Sequence, residues 1–126
     1  MTALRKIVGL WKNFEETSEN PKLPGLKTRY YKKSREAMLE SVKKIANNKL
    51  PQWKILKVDE ERGEITMEKE GMSASVMVIT VFKINPIRSA IDVYCAKKGS
   101  FGDLGSSYQS ILTFFKALNT EVTPED

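Results

Sequence analysis

Lys22, Lys27, Arg29, Lys32, Lys33 and Arg35 fall within one stretch of fourteen residues, with Tyr30 and Tyr31 among them and no acidic residue between. Such a run can gather phosphates, a nucleic-acid backbone or the head groups of an acidic membrane. The tyrosines would stack on bases or settle at a lipid interface. The anion-binding candidates are therefore Lys27, Arg29, Tyr30, Tyr31, Lys32 and Lys33. The same composition also fits a solvated connector leading into a helix. Charge is uneven along the chain: residues 1–50 carry a net +7 and residues 51–126 a net −2, within an overall +5. Six cations at about 1 kcal/mol each near an anionic bilayer give only weak, salt-sensitive attachment. Non-specific duplex binding would be similarly weak, with dissociation constants of about 10⁻⁴ to 10⁻⁶ M.

Catalytic chemistry has little to work with. The chain has no histidine, which excludes imidazole triads, His-assisted zinc sites and histidine proton shuttles. One cysteine, Cys95, forms no intrachain disulfide and sits at a strand-like position where a thiol is an ordinary small apolar residue. The acids Glu64, Asp92 and Asp103 form no readable catalytic pair. The expectation is a protein that is not an enzyme, with no metal and no cofactor. Arg35 is singled out for another reason. At helical spacing it falls in the apolar arc of Tyr31, Met38, Val42 and Ala46, so its guanidinium must reach around the helix end or meet a carboxylate. Arg35, Asp92 and Asp103 are thus candidates for structural or buried-polar roles.

The elements that must position these groups follow from periodicity. Residues 2–16 place Leu4, Ile7, Val8, Leu10, Trp11 and Phe14 on one helical arc, which predicts an amphipathic helix able to dock on a protein partner. Pro21, Pro24 and Gly25 then mark a connector. Ser34 is a natural N-cap for a second helix with a Met38, Leu39, Val42, Ile45, Ala46 stripe, ended by Asn47, Asn48 and Pro51. From Trp53 to Lys97 the pattern alternates and four strands fit. Ile65 and Met67 point inward on the second. The third offers Ala74, Val76, Val78 and Phe82 on one face, with Met77, Ile79 and Val81 making the other partly apolar too. The fourth divides Ile91, Val93 and Cys95 from Asp92 and Tyr94. A last amphipathic helix carries Leu104, Tyr108, Ile111, Leu112, Phe115 and Leu118, with Asp103 as N-cap.

A hydrophobic content of 40% supports a single core. Hairpin-length connections imply antiparallel neighbours. The predicted architecture is an α+β two-layer sandwich, a four-stranded antiparallel meander with flanking helices in the order helix-helix-β-β-β-β-helix. Its expected divisions are an N-terminal helix and connector over 1–21, the domain over 22–119 and a flexible acidic tail over 120–126. The predicted core includes Val42, Ile45, Trp53, Val76, Val78, Ile91, Val93, Leu112 and Phe115. No apolar run is long enough for a membrane span, and Arg5, Lys6 and Lys12 interrupt the N-terminal apolar residues as no secretory signal would. A cytoplasmic location is expected.

The glycine loop Gly99, Ser100, Phe101, Gly102, Asp103, Leu104, Gly105 joins the last strand to the last helix. It matches neither the Walker nor the dinucleotide pattern and reads as a turn and helix cap. With Ile91, Asp92 and Val93 before it and Tyr108 and Ile111 after it, this loop resembles the bacterial domain-of-unknown-function family numbered 1499. The stretch Leu26, Lys27, Thr28, Arg29, Tyr30, Tyr31 is similar to that family's entry segment, and the resemblance spans residues 22–118. The chain departs from the pattern in three places. Tyr94, Cys95, Ala96, Lys97 and Lys98 stand where many members have a polar run of Arg-Ser-x-Ser-Arg type, Ser106 and Ser107 replace an asparagine, and an early cysteine-bearing segment is missing. The resemblance implies a domain boundary and no established activity. Two readings remain: a non-catalytic binding module for an anionic ligand, membrane surface or nucleic acid, and a protein-interaction module docking through residues 2–16.

Overall fold

The computed structural model describes residues 14–21, 23, 25–70, 74–97 and 106–125. Among the described residues, six strands and two helices occur in the order β1 (Phe14–Glu16), β2 (Arg29–Tyr31), α1 (Arg35–Lys49), β3 (Trp53–Asp59), β4 (Glu64–Lys69), β5 (Ser75–Asn85), β6 (Arg88–Lys97) and α2 (Ser106–Leu118). The sheet runs β1-β6-β5-β4-β3, and β2 also pairs with β6; every strand pairing is antiparallel. The four-strand meander is therefore extended by two short strands lying end to end along one edge of β6, opposite residues 94–96 and 89–91. Both helices contact the sheet and each other, giving the α+β sandwich.

Cross-strand partners set which face is the core. Ile65 pairs with Ile79 and Ile79 with Val93; Met67 pairs with Met77 and Met77 with Cys95. All are buried, and Met38, Val42, Ile45, Ile111, Phe114 and Leu118 close over them from the helices. Val42, Ile45, Ile91, Val93 and Phe115 are core as expected, with Trp53 partly buried against them. Val76 and Val78 are not. They lie on the opposite, half-buried face of β5 with Thr80 and Phe82, because both parities of this strand are apolar and its neighbours decide between them. On α2 the buried arc includes Phe114, and Leu112 is only half buried.

The helix ends follow capping chemistry in part. The Ser34 hydroxyl accepts from the Ala37 N–H at 3.1 Å, as an N-cap should. Asn47 and Asn48 do not end α1: the helix runs through both to Lys49, and buried Leu50 is the C-cap with φ −124°. Of the helix expected over 2–16, residues 2–13 lie outside the described residues, and Phe14–Glu16 is a strand. Edge pairing with Ala96, Cys95 and Tyr94 satisfies its backbone there. The glycine loop and Asp103 also lie outside the described residues.

The expected connector and tail are both parts of the domain. Thr17 donates its N–H to Val93 O, Ser18 to Leu26 O and Thr28 to Ser18 O. At the other end, segment 120–125 is laid along β2 rather than hanging free. Val122 joins the core, Pro124 bridges Tyr31, and the Glu125 N–H donates to Tyr30 O at 2.8 Å. Its apolar residue finds cover and its acid finds a cation, which an acidic composition alone does not reveal.

Candidate functional site: the basic edge strand and the β5–β6 hairpin

Because β2 is a strand, alternation splits the basic segment between two faces. Arg29 and Tyr31 turn toward the helices. Tyr31 is fully buried, and its hydroxyl donates to Asn119 Oδ1 at 3.0 Å. Burial raises its pKa to about 12. The Arg29 guanidinium lies 4.7 Å from the centre of the Phe115 ring and donates to Gly25 O at 2.7 Å, while its buried Nε has no acceptor among the described residues. This arginine fastens the connector to α2. Gly25 has φ +86°, and a Cβ there would stand 2.6 Å from a Leu112 methyl, so only glycine lets the two approach. Tyr30 points to the other face. Its hydroxyl donates to Glu19, a bond that holds its pKa above the usual phenol value, and the Arg88 guanidinium lies 4.8 Å from its ring centre. Arg88 grips Glu125 with bonds of 2.9 to 3.1 Å and so holds that carboxyl below its usual range.

The sequence-predicted set thus does not converge as a whole. Arg29, Tyr30 and Tyr31 are engaged within the fold. Lys27, Lys32 and Lys33 are exposed and have no hydrogen-bond or ion-pair partner among the described residues. Of the lysines elsewhere, Lys43 meets Glu40 and Glu60, and Lys44 and Lys49 meet Glu121, whereas Lys54, Lys57 and Lys116 are exposed and equally without such a partner among the described residues. Lys32 borders a surface cleft of about 520 Å³ with Thr123, Pro124 and Glu125.

Register brings in a neighbour that charge counting along the chain missed. Tyr31 pairs with Ser89, which also pairs with Lys83, so Lys32 and Lys33 leave β2 toward the tip of the β5–β6 hairpin. Lys83 is exposed there, without an ion-pair or hydrogen-bond partner among the described residues. Phe82, Ile84 and Ile87 on the same hairpin are 46%, 45% and 75% exposed. The one available signal was the turn itself. Asn85 and Pro86 supply turn chemistry, with Asn85 Oδ1 accepting from the Ile87 N–H at 2.9 Å, yet an isoleucine occupies a position where Asn, Asp or Gly is ordinary.

The buried-polar candidates resolve separately. Among the described residues Arg35 meets no carboxylate; it reaches around the start of α1 to donate to the backbone carbonyls of Glu60 and Glu61, the latter at 3.0 Å, in the β3–β4 turn. Asp92 Oδ1 accepts from the hydroxyls of Thr17 at 2.6 Å and Thr28 at 2.5 Å, joining the ends of the connector across β6. It also lines a cleft of about 180 Å³ with Glu16, Thr80 and Tyr94. Among the described residues, no three Cys, Asp or Glu side chains gather as metal ligands would, and no helix is long and apolar enough to cross a membrane.

No family model matches the chain, and no curated protein does. Among solved structures it is similar to a START superfamily protein from Mycobacterium smegmatis, at a TM-score of 0.58 and 11% identity over 86% of this chain and 96% of that one. It is also similar to the di-domain ARO/CYC protein BexL of the BE-7585A biosynthetic pathway, at 0.49 and 9%, covering 86% of this chain but 42% of that one. A third, an uncharacterised protein from Bacillus thuringiensis, gives 0.44 and 14%, covering 86% and 97%. At such identities the first likeness establishes a shared fold, a sheet with helices laid across one face.

Proposed function

We propose that this domain is a non-catalytic binding module that recognises an anionic ligand or surface through Lys27, Lys32 and Lys33. The observation that carries the reading is that three exposed lysines of one acid-free segment make no hydrogen bond or ion pair among the described residues. Lys43, Lys44 and Lys49 are bridged to glutamates, while Lys54, Lys57 and Lys116 are exposed and unpaired among the described residues but lie outside the acid-free segment. Exposed cations without an ion pair attract an external anion, an attraction that salt screens and that the nearby Glu125 carboxylate offsets in part at Lys32. A surface site also agrees with the interior, where Met38, Ile79, Phe114 and Leu118 occupy the space between sheet and helices. Nothing in the reading needs a reacting group. Asp92 is engaged by two threonine hydroxyls, and the resemblance to the family numbered 1499 brings no activity with it.

Inorganic polyphosphate serves as the test anion. The full chain should bind it at low ionic strength, and binding should weaken steeply as salt is raised. Reversing Lys27, Lys32 and Lys33 together to Glu should abolish binding while changing stability by no more than about 0.5 kcal/mol per site. Unaltered binding by the triple variant would overturn the proposal.

A further inference from the structure

The β5–β6 hairpin carries three large apolar side chains into solvent at one end of the sheet, and their placement is not incidental to the turn. Pro86 and Ile87 are the two central residues of the reversal between paired Asn85 and Arg88, with the Ile87 N–H bonded to Asn85 Oδ1 and Ile87 itself 75% exposed, while Phe82 and Ile84 stand on the outer face of β5 behind it. A solvent-facing hairpin tip of this kind usually carries polar turn residues. The cations around it are Lys83 on the hairpin itself and Lys32 and Lys33 arriving from β2, all exposed and without ion-pair partners among the described residues. The acid nearest this end is Glu125, gripped by Arg88 of the hairpin and sharing a cleft with Lys32; the next lie on the other side of β5, in the β3–β4 turn. There Glu60 is paired with Lys43 and Asp59 with Arg62, leaving Glu61 exposed.

We propose that Phe82, Ile84 and Ile87 form an apolar prong that enters the acyl boundary of an anionic bilayer while Lys32, Lys33 and Lys83 bind its head groups. This rests on the reading above and names the anionic surface. Two features favour a bilayer over a protein groove. The apolar residues project instead of forming a recess, and three side chains on a tip supply far less than the roughly 800 Å² per partner of a stable protein interface. A bilayer needs no shape complementarity: it accepts an apolar wedge of any outline and draws flanking lysines to its negative surface. Lysine stems can lie along the wedge with their ammonium groups in the head-group layer.

The test uses the full chain with vesicles of phosphatidylcholine alone and of phosphatidylcholine and phosphatidylserine in equal parts, and polyphosphate in parallel. The exposed double substitution Ile84→Ser with Ile87→Ser should lower partition onto the anionic vesicles by about tenfold or more and leave polyphosphate binding and the melting temperature unchanged. Ile87→Cys carrying an environment-sensitive dye should shift to the blue on anionic vesicles and not on polyphosphate; the native Cys95 is buried and unlabelled. Full vesicle binding by the double variant, or an unshifted dye on bound protein, would overturn the prong while leaving the lysine reading intact. Polyphosphate binding without any vesicle binding would do the same and would point the prong at a protein instead. Absence of binding to both probes would overturn both proposals together.

Discussion

Gly63 ends the β3–β4 turn with φ +72°, and replacing it by alanine should destabilise the domain severely. Two costs combine. A non-glycine residue in the left-handed region is disfavoured by roughly 1–2 kcal/mol. The added Cβ would also stand 2.5 Å from Val81 O and 3.1 Å from Arg35 Nε. The first neighbour is backbone in the middle of the sheet and cannot swing away, so the turn must retreat. Retreat stretches the bond from Val81 N–H to Gly63 O, now 2.8 Å, and pulls the turn carbonyls from the Arg35 guanidinium. Overpacking of this kind typically costs about 1–3 kcal/mol, for a total near 2–5 kcal/mol. That is a large share of the 5–15 kcal/mol by which such domains are stable. Urea melts of Gly63→Ala should show a lower midpoint with an unchanged slope. A loss under about 0.5 kcal/mol would refute the turn geometry and the docking of Arg35 on it.

Other perturbations read other parts of the structure. Arg35→Ala removes donors from two turn carbonyls and should cost about 2–3 kcal/mol in the same melts without altering polyphosphate binding; a binding loss at full stability would place Arg35 in the site instead. Tyr31 has its pKa raised from 10.0 to about 12, so its stabilising effect is complete below pH 10 and disappears as pH rises from there through 12. That amounts to about 2–3 kcal/mol, and Tyr31→Phe should lose this component of the alkaline fall while the wild type keeps it. Glu125 has its carboxyl held low by Arg88, so its contribution is whole above the usual carboxylate pKa and fades as pH falls through the lowered value. Arg88→Ala should accordingly speed hydrogen exchange at the Glu125 amide, which is bonded to Tyr30 O; unchanged exchange would show the tail is held without that ion pair.

Much of the architecture was legible because it depends on local chemistry. Ser34 caps α1 as its hydroxyl suggested, and Ile65, Met67, Ile91, Val93 and Cys95 face the core as their alternation required. The face of β5 was not legible, since Val76 and Val78 compete with Met77 and Ile79 on equal hydropathy and only pairing with β4 and β6 separates them. Phe14–Glu16 fits a helical arc when read alone and becomes a strand because the edge of β6 is open to it. The basic segment was visible as charge but not as geometry. A three-residue strand turns Arg29 and Tyr31 inward, leaves Lys27, Lys32 and Lys33 outside, and brings Lys83 and the hairpin tip toward Lys32 and Lys33 from about fifty residues away.

The most direct measurement is an NMR titration of the full chain with polyphosphate at low salt, following the lysine side chains and backbone amides. Shifts should concentrate at Lys27, Lys32, Lys33 and Lys83, with Lys43, Lys44 and Lys49 little affected because glutamates already hold them. Shifts centred on the paired lysines or on Lys54 and Lys57 of β3, or no shifts at all where electrostatic attraction is strongest, would contradict that expectation.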